Sequence, residues 1–350
     1  MKKIDGFILK KKKFYQSWVF KLKLINNKLI IEESKYALIL GETPSKGARS
    51  PALWNKAYKK INRNIKMYPA DISPKNLSKV LKFLKRDQGY IGGSVTTPFK
   101  EKAINFLDKV DLNSRKIGSI NTIVKGKNKL FGFNTDYLGI LEALKKIHLK
   151  NKNNILILGC GGAGKACIIA ALNNYKNCNF FFHNRDSKKL ITFVKKLKIK
   201  KHKFIIIKTY KDLLKVKKLD LIINTTSVGF NSWIKKNKGF INLKFFTPLT
   251  YLNKLKIITT QNNQIFKRAN KKIIQININK SREFYLNNKK AQLLDIIYNP
   301  KKTEFLRLSK FNSKKLFNGL LMNLSQAVQS FMLVNKIKTK EKKYILKAMK

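Results

Sequence analysis

The sequence contains few of the residues that build metal sites and disulfide frameworks, and it has no long apolar run. It contains three cysteines and three histidines among 350 residues. Cys160, Cys167 and Cys178 form no Cys-x-x-Cys pair, so we expect neither a disulfide framework nor a bound metal. The chain also lacks a run of about 18 uninterrupted apolar residues, the length that spans a membrane, and charged residues interrupt the N-terminus where a signal peptide would lie. We therefore expect a soluble, cytoplasmic protein with no membrane partner.

Acidic residues are scarce as well, because 18 aspartates and glutamates stand against 77 lysines and arginines and leave a net charge of +59. A strongly basic chain can bind nucleic acid through its phosphates. The lysines are spread along the whole chain, however, and they accompany abundant asparagine, isoleucine and phenylalanine, whose codons are rich in A and T. We attribute the charge to base composition and expect no specific nucleic-acid partner, only weak binding to polyanions at low salt.

The order of apolar runs and turn residues predicts an α/β protein with two domains. The length allows two domains of ordinary size, and a polar stretch at 150–154 indicates the boundary between them. Residues 1–35 form a basic N-terminal extension. From residue 36 onward the pattern is that of an α/β protein, and beyond the boundary the alternation of strands and helices predicts a parallel sheet with helices on both faces. The individual predictions include a helix that Ser50 caps and Pro51 begins, a helix after Lys100 to about Val110, a hairpin of 120–124 and 130–133, and a strand over 273–278.

A glycine-rich run, Gly159-Cys160-Gly161-Gly162-Ala163-Gly164, follows an apolar strand and opens a helix. In dinucleotide-binding loops the first glycine of such a run permits a tight turn, the second lets the backbone approach the pyrophosphate, and the third lets helix and strand pack closely. The N-terminus of the helix then presents N–H groups to the phosphates. Because a further strand follows at 180–182, we interpret the run as a nicotinamide dinucleotide site, with an ordinary glycine turn as the alternative.

The residues after that next strand predict which dinucleotide binds. Arg185, assisted by Lys188 or Lys189, suits the 2′-phosphate of NADP, whereas Asp186 suits the ribose 2′-hydroxyl of NAD. We favour NADP. Binding of NAD is one alternative, and a solvated charged turn that binds nothing is another.

Two further segments, 94–100 and 134–136, place hydroxyl and amide groups beside one ionisable residue at the end of an apolar stretch. Each alone is typical of a capped helix start. Together with other pieces in the same order, they resemble the shikimate dehydrogenase family over about 36–333. The pieces are Ser50-Pro51-x-x-x-Asn55, Val95-Thr96-x-Pro98-x-Lys100, Gly118-x-x-Asn121-Thr122, Asn134-Thr135-Asp136, the glycine run, Asn184-Arg185, Asn224-x-Thr226-Ser227-x-Gly229, Asp295-x-x-Tyr298-Asn299-Pro300-x-x-Thr303 and Asn318-Gly319-x-x-Met322-x-x-x-Gln326.

The resemblance implies two α/β domains with a cleft between them. Residues 36–150, completed by the C-terminal helices of 314–350, would form a substrate-binding and catalytic domain, and 151–313 a Rossmann-like domain that binds NADP. The implied reaction is the reversible NADP-dependent reduction of 3-dehydroshikimate to shikimate in aromatic amino-acid biosynthesis.

The resemblance also implies roles for individual residues. Lys100 and Asp136 match the catalytic pair. The positions that match substrate contacts are Ser50, Thr96, Asn121, Tyr298 and Gln326. The positions on the cofactor side are Gly159, Gly161, Gly162, Ala163, Gly164, Asn184, Arg185, Lys189, Thr226 and Gly319.

The chemistry of the side chains agrees with these roles. When hydride moves between an alcohol carbon and a nicotinamide, the oxygen needs an acid–base group or a cation within hydrogen-bond reach. Lys100 can act as either, and Asp136 can orient it or bind a ring hydroxyl.

The sequence departs from the family where a carboxylate-binding hydroxyl is usual. Gly47 and Ala48 stand at the family's His-Ser positions, and Arg49 is a candidate to bind the substrate carboxylate instead. There are two alternatives. One is a relative that oxidises quinate with NAD, and the other is a catalytically idle protein that binds dinucleotides or polyanions. We expect a monomer or a homodimer.

Overall fold

The computed structural model describes residues 24–149, 152–197, 202–236, 239–249, 257–309 and 316–350. Most of the predicted N-terminal extension therefore lies outside the described residues. The chain divides into two compact units. The first comprises the described residues up to Leu138 together with Leu324–Lys350, and the second is Gly139–Asn323. Among the described residues, no helix combines the length and the apolar character needed to cross a membrane.

The first unit is built on a six-stranded mixed sheet. Its strands are β1 (Lys35–Gly41), β2 (Ile65–Asp71), β3 (Tyr90–Val95), β4 (Lys109–Val110), β5 (Thr122–Gly126) and β6 (Lys129–Phe133), in the order β2-β1-β3-β5-β6-β4. Strand β1 runs parallel to β2 and β3, whereas β5 is antiparallel to both β3 and β6. The predicted hairpin of β5 and β6 is confirmed, with Thr122 opposite Phe133. Strand β5 is therefore the one antiparallel member of this sheet, and the predicted hairpin accounts for it.

Two predicted helix boundaries in this region are wrong. The described α-helices that begin before the unit boundary are α1 (Ser50–Lys60), α2 (Leu77–Arg86), α3 (Phe99–Lys102), α4 (Leu112–Ile117) and α5 (Thr135–Leu144). Ser50 is the first residue of α1 rather than its cap, since Arg49 holds the N-cap position and no side chain caps the helix. The helix after Lys100 stops long before Val110, because Lys109 and Val110 pair with β6 as a strand.

The second unit contains a six-stranded sheet in which every pairing is parallel. Its strands are β7 (Asn154–Leu158), β8 (Asn179–His183), β9 (Lys203–Ile207), β10 (Leu221–Asn224), β13 (Gln292–Asp295) and β14 (Leu316–Phe317), in the order β14-β13-β10-β7-β8-β9, and β11 (Trp233–Lys236) pairs separately with β12 (Gly239–Asn242). The described helices are α6 (Gly162–Asn174), α7 (Ser187–Lys196), α8 (Tyr210–Leu214), α9 (Asn263–Ala269), α10 (Lys271–Leu286) and α11 (Glu304–Arg307). The predicted strand–helix–strand unit around the glycine run is confirmed as β7, α6 and β8.

The strand predicted over 273–278 is wrong, because these residues belong to α10. Isoleucines alternate with Gln275 and Asn277 in this stretch, which is typical of a strand. The buried positions of the helix instead recur at the spacing of helical turns, from Ile274 through Asn277 and Ser281 to Phe284. The alternation is limited to this short stretch. The buried positions of the whole helix recur at helical spacing, and their packing against the core selects the helix.

The C-terminal helices, α12 (Leu320–Asn335) and α13 (Lys342–Ala348), complete the description. The ring of Phe331 on α12 packs 5.2 Å from that of Trp54 and 4.8 Å from that of Tyr58, both on α1. Strand β1 separates two cores, since Leu38 and Leu40 belong to the core that includes α2, whereas Ala37 and Ile39 belong to the core that includes Phe331. The sheet of the first unit is thus covered on both faces.

Candidate active site

Lys100 and Asp136 form an ion pair in the first unit. The Nζ atom of Lys100, on α3, lies 2.6 Å from Oδ2 of Asp136, in the first turn of α5. The side chain of Asp136 is 6% exposed and that of Lys100 is 23% exposed. A charge-assisted hydrogen bond of this length between partly buried groups fixes both side chains, and it leaves the lysine accessible to a ligand.

Asn121 holds the other carboxylate oxygen of Asp136. Its Nδ2 donates to Oδ1 of Asp136 at 2.9 Å and to Oε1 of Gln326 at 3.1 Å. Its Oδ1 accepts from the backbone N–H of Thr135 at 2.7 Å. Asn121 precedes β5, so one buried amide links this sheet edge to the start of α5 and to α12. The predicted residues Lys100, Asp136, Asn121 and Gln326 therefore lie in a single hydrogen-bonded network.

Other buried side chains support this network, although the sequence predicted no role for them. Thr122 donates from Oγ1 to Oγ of Ser330 at 2.8 Å, which ties β5 to α12. Asn134 donates to the backbone oxygen of Ser119 at 2.9 Å and accepts from the N–H of Tyr137 at 3.2 Å. The spacing of Ser330 four residues after Gln326 was the available signal, because residues four apart share a helix face.

Ser50 and Thr96, predicted to contact substrate, are half-buried in the same unit. Ser50 begins α1. Thr96 follows β3 directly, and its backbone N–H donates to the oxygen of Leu40 at 2.9 Å. Tyr298, the remaining predicted substrate contact, belongs to the second unit, where its ring packs edge-on against Phe230 at 5.8 Å.

The glycine run of the second unit joins β7 to α6. Gly159 has a φ of +105°, a conformation that L-residues with a side chain rarely adopt. Gly161 is the N-cap of α6, and a Cβ atom built there would meet nothing within 4 Å. A Cβ atom on Gly164 would instead lie 2.6 Å from the oxygen of Gly159. The loop is therefore tightly packed at Gly164 and open at Gly161, where N–H groups of the helix terminus are available to an anion.

Asn184 and Asp186 organise the turn that follows β8. Oδ1 of Asn184 accepts from the N–H of Cys160 at 3.0 Å, and its Nδ2 donates to the backbone oxygen of Asp186 at 2.8 Å. Oδ1 of Asp186 accepts from the N–H of Lys189 at 3.0 Å and caps α7. The side chains of Arg185 and Lys189 are exposed. The carboxylate of Asp186 thus caps α7. The exposed side chains of Arg185 and Lys189 flank a turn that is hydrogen-bonded to the glycine run.

Asp295 is a fully buried carboxyl group at the end of β13. Its Oδ1 accepts from Nδ2 of Asn224 and from the N–H of Ile297, each at 3.0 Å, and its Oδ2 accepts from Oγ1 of Thr303 at 2.6 Å. Burial raises the pKa of Asp295 to about 7, although these hydrogen bonds act to lower it. Asn224 in turn accepts from Oγ1 of Thr226 at 2.8 Å.

Gly319 lies against the same segment. Its N–H donates to the oxygen of Ile297 at 3.0 Å, and a Cβ atom on it would overlap the oxygen of Ile296. A glycine is required here by close approach of two backbones.

In the part of the chain that the structure describes, no group of His, Cys, Asp and Glu side chains could hold a metal ion.

Proteins of known identity resemble this chain in sequence and in structure. Residues 40–123 match the family model described as the shikimate dehydrogenase substrate binding domain. A shikimate dehydrogenase (NADP(+)) of Pyrococcus furiosus is 36% identical over 214 residues, which cover 60% of this chain and 74% of that protein. A protein of the same name from Dictyoglomus thermophilum is 30% identical over 277 residues, 79% of this chain and 83% of that protein. The solved shikimate dehydrogenase of Aquifex aeolicus is similar with a TM-score of 0.65 at 25% identity, covering 92% of this chain and 99% of that chain.

Proposed function

The chain belongs to the shikimate dehydrogenase family, and on that premise we propose that it catalyses the reversible NADP-dependent reduction of 3-dehydroshikimate to shikimate. It acts as an oxidoreductase on a CH–OH group. The contact of 2.6 Å between Lys100 and Asp136 carries the proposal, because it puts an acid–base group and its orienting carboxylate at a partly exposed position.

Lys100 is the general acid of the reduction. Bound NADPH supplies the hydride to the carbonyl carbon, which leaves negative charge on the oxygen. The ammonium of Lys100 donates a proton to that oxygen, and in the reverse direction the neutral amine takes the proton back. Asp136 orients the Nζ atom of Lys100, while Asn121 keeps the carboxylate from rotating away.

The polar side chains of the first unit bind the hydroxylated ring. We assign this role to Ser50, Thr96, Asn121 and Gln326, and on the family resemblance alone also to Tyr298. Amide and hydroxyl groups both donate and accept, so they suit a ring with several hydroxyls. Arg49, at the N-cap position of α1 beside Ser50, is the proposed partner of the substrate carboxylate in place of the hydroxyl that Ala48 lacks.

The second unit binds NADP. The open position at Gly161 suits the pyrophosphate, and the exposed Arg185 and Lys189 suit the 2′-phosphate. The cap that Asp186 provides for α7 favours NADP over NAD, since the carboxylate has a structural partner in the protein. The remaining cofactor-side positions are assigned because they match those of the family: Gly159, Gly162, Ala163, Gly164, Asn184, Thr226 and Gly319.

Steady-state assays with shikimate and with quinate, each with NADP and with NAD, test the proposal. We expect the highest kcat/KM for shikimate with NADP. A clear preference for quinate with NAD would identify the protein as a different member of the family. Absence of hydride transfer with all four pairs would favour a protein that binds dinucleotides without catalysis.

A further inference from the structure

The carboxyl group of Asp295 has no part in the proposed chemistry, yet it is kept in the interior of the second unit. Its side chain is 0% exposed. Burying a carboxyl group costs free energy unless its oxygens are hydrogen-bonded, and here both oxygens have donors. The residues that supply these donors show which segments of the chain the carboxyl group connects.

The donors belong to separate segments of the chain. Asn224 ends β10, the N–H of Ile297 lies in the turn after β13, and Thr303 precedes α11. Thr303 is also the N-cap of α11, because its Oγ1 accepts from the N–H of Leu306 at 3.3 Å. One carboxyl group therefore connects segments that are as much as 79 residues apart in sequence, from 224 to 303.

Two of these segments, those of Asn224 and Ile297, lead directly to residues that the proposed function uses. Asn224 accepts from both the N–H and the Oγ1 of Thr226, at 3.0 and 2.8 Å. Ile297 adjoins Tyr298 in the chain, and its oxygen accepts from the N–H of Gly319 at 3.0 Å. Only one residue, Asn224 or Ile297, thus separates this carboxyl group from each of three functional positions, namely Thr226, Tyr298 and Gly319.

We propose that Asp295 is a positioning residue that keeps Thr226, Tyr298 and Gly319 in the arrangement that binds NADP and substrate. The proposal rests on the proposed function for the identity of both ligands. Loss of the carboxyl group lets these segments move independently, so the KM for shikimate and the dissociation constant for NADP rise together. The kcat value changes less, because Lys100 and Asp136 belong to the first unit and keep their contact.

Asp295→Ala and Asp295→Asn, compared with the unchanged protein, test this inference. We expect Asp295→Ala to raise the KM for shikimate and the NADP dissociation constant by about tenfold each, the size of one lost buried hydrogen-bonded group, with kcat within about threefold. In Asp295→Asn the remaining oxygen can still accept from Asn224 and Ile297, and the hydroxyl of Thr303 can turn to accept from the new amide. Both constants should then stay within about threefold of the original values.

Asn288→Ala is the matched control. Asn288 is 2% exposed and bonds to the backbone of Val216 and Leu219, before the start of β10, at the opposite end of the strand from Asn224. We expect it to lower the melting temperature without changing either constant. If Asp295→Ala prevents folding, Thr303→Val, which removes one donor while preserving shape, replaces it and should raise both constants in the same direction.

Several results would overturn the inference: constants within twofold of the unchanged protein in Asp295→Ala, equal losses in Asn288→Ala, or a fall confined to kcat. NADP binding is measured by calorimetry and needs no turnover. A protein that binds NADP but transfers no hydride would refute the proposed reaction and leave the calorimetric comparison decisive for Asp295. A protein that does not bind NADP would refute both.

Discussion

Lys100 and Asp136 meet at 2.6 Å although 36 positions separate them in the sequence. Strands β3 and β6 both run antiparallel to β5, which lies between them, so their carboxyl ends reach the same edge of the sheet. Lys100 follows β3 and Asp136 follows β6, while Asn121 precedes β5 and starts from that edge too. The direction of three neighbouring strands therefore assembles the pair and the amide that holds it.

Replacing the lysine of this pair should abolish most of the activity while leaving the fold intact. We expect Lys100→Ala to lower kcat for shikimate oxidation by about 10²- to 10⁴-fold, the usual contribution of a positioned acid–base group. Initial rates of NADPH formation measure the effect. Lys102→Ala removes an exposed lysine from the same short helix and should keep full activity. Full turnover by Lys100→Ala would remove the mechanism.

Two glycines of the same loop should respond differently to alanine. Gly161→Ala places its methyl group in open space, and alanine is a poorer N-cap than glycine, so we expect stability to fall by no more than about 1 kcal/mol. The methyl group would occupy the approach of the pyrophosphate, and the affinity for NADP should fall by about tenfold or more.

Gly164→Ala is the counterpart, because its methyl group would lie 2.6 Å from the oxygen of Gly159. It should destabilise the protein by about 1–3 kcal/mol through overpacking. Urea unfolding and NADP calorimetry on both variants separate the two effects. Equal losses of stability would contradict the difference in packing, and unchanged NADP affinity in Gly161→Ala would show that the open space there has no importance for the ligand.

Asp186 should influence stability more than cofactor choice. Removing its cap of α7 in Asp186→Ala is expected to cost about 1 kcal/mol of unfolding free energy, and Asp186→Ser should restore most of it. The ratio of kcat/KM for NADP to that for NAD should change little. Arg185→Ala, one residue earlier, should lower that ratio because it removes a partner of the 2′-phosphate. A strong shift of the ratio in Asp186→Ala would place its carboxylate on the ribose instead.

Stability should depend on pH through Asp295. Burial raises the pKa of this group from 3.8 to about 7, so the folded state retains a proton that the unfolded state releases between these values. The folded state then binds more protons, and the contribution of Asp295 to stability declines as pH rises from about 4 to about 7. The decline is on the order of 4 kcal/mol at full extent.

Asp295→Asn cannot titrate and should lose this dependence. Urea unfolding of both proteins at pH 4 to 8 measures the difference between their unfolding free energies, in which other titrating groups cancel. The difference should shift in favour of Asp295→Asn with increasing pH and level off above pH 7. A constant difference over the range would show that Asp295 titrates near its ordinary pKa.

The fold class and the family could be predicted because their signals are local or ordered along the chain. The strand, glycine run and helix around Gly161 are contiguous in sequence, and the short motif from Asn134 to Asp136 starts a helix directly after a strand. The errors arose where local pattern and tertiary context disagreed. Alternating isoleucines at 273–278 indicated a strand, whereas packing of Ile274 and Phe284 against the core selects a helix. The cap by Asp186 had a local signal, since an aspartate before an apolar helical pattern is typical of an N-cap.

By itself the sequence determined which side chains are present for the chemistry, namely a lysine, a carboxylate, amides and a glycine run in a fixed order. The tertiary structure alone decided which of them touch and how the buried Asp295 ionises. Asp136 has Lys100 and Asn121 on its two oxygens because three strands end at one edge, and Asp295 has a raised pKa because β10, β13 and α11 enclose it. Contacts and burial depend on residues far apart in the chain, and no local pattern contains that information.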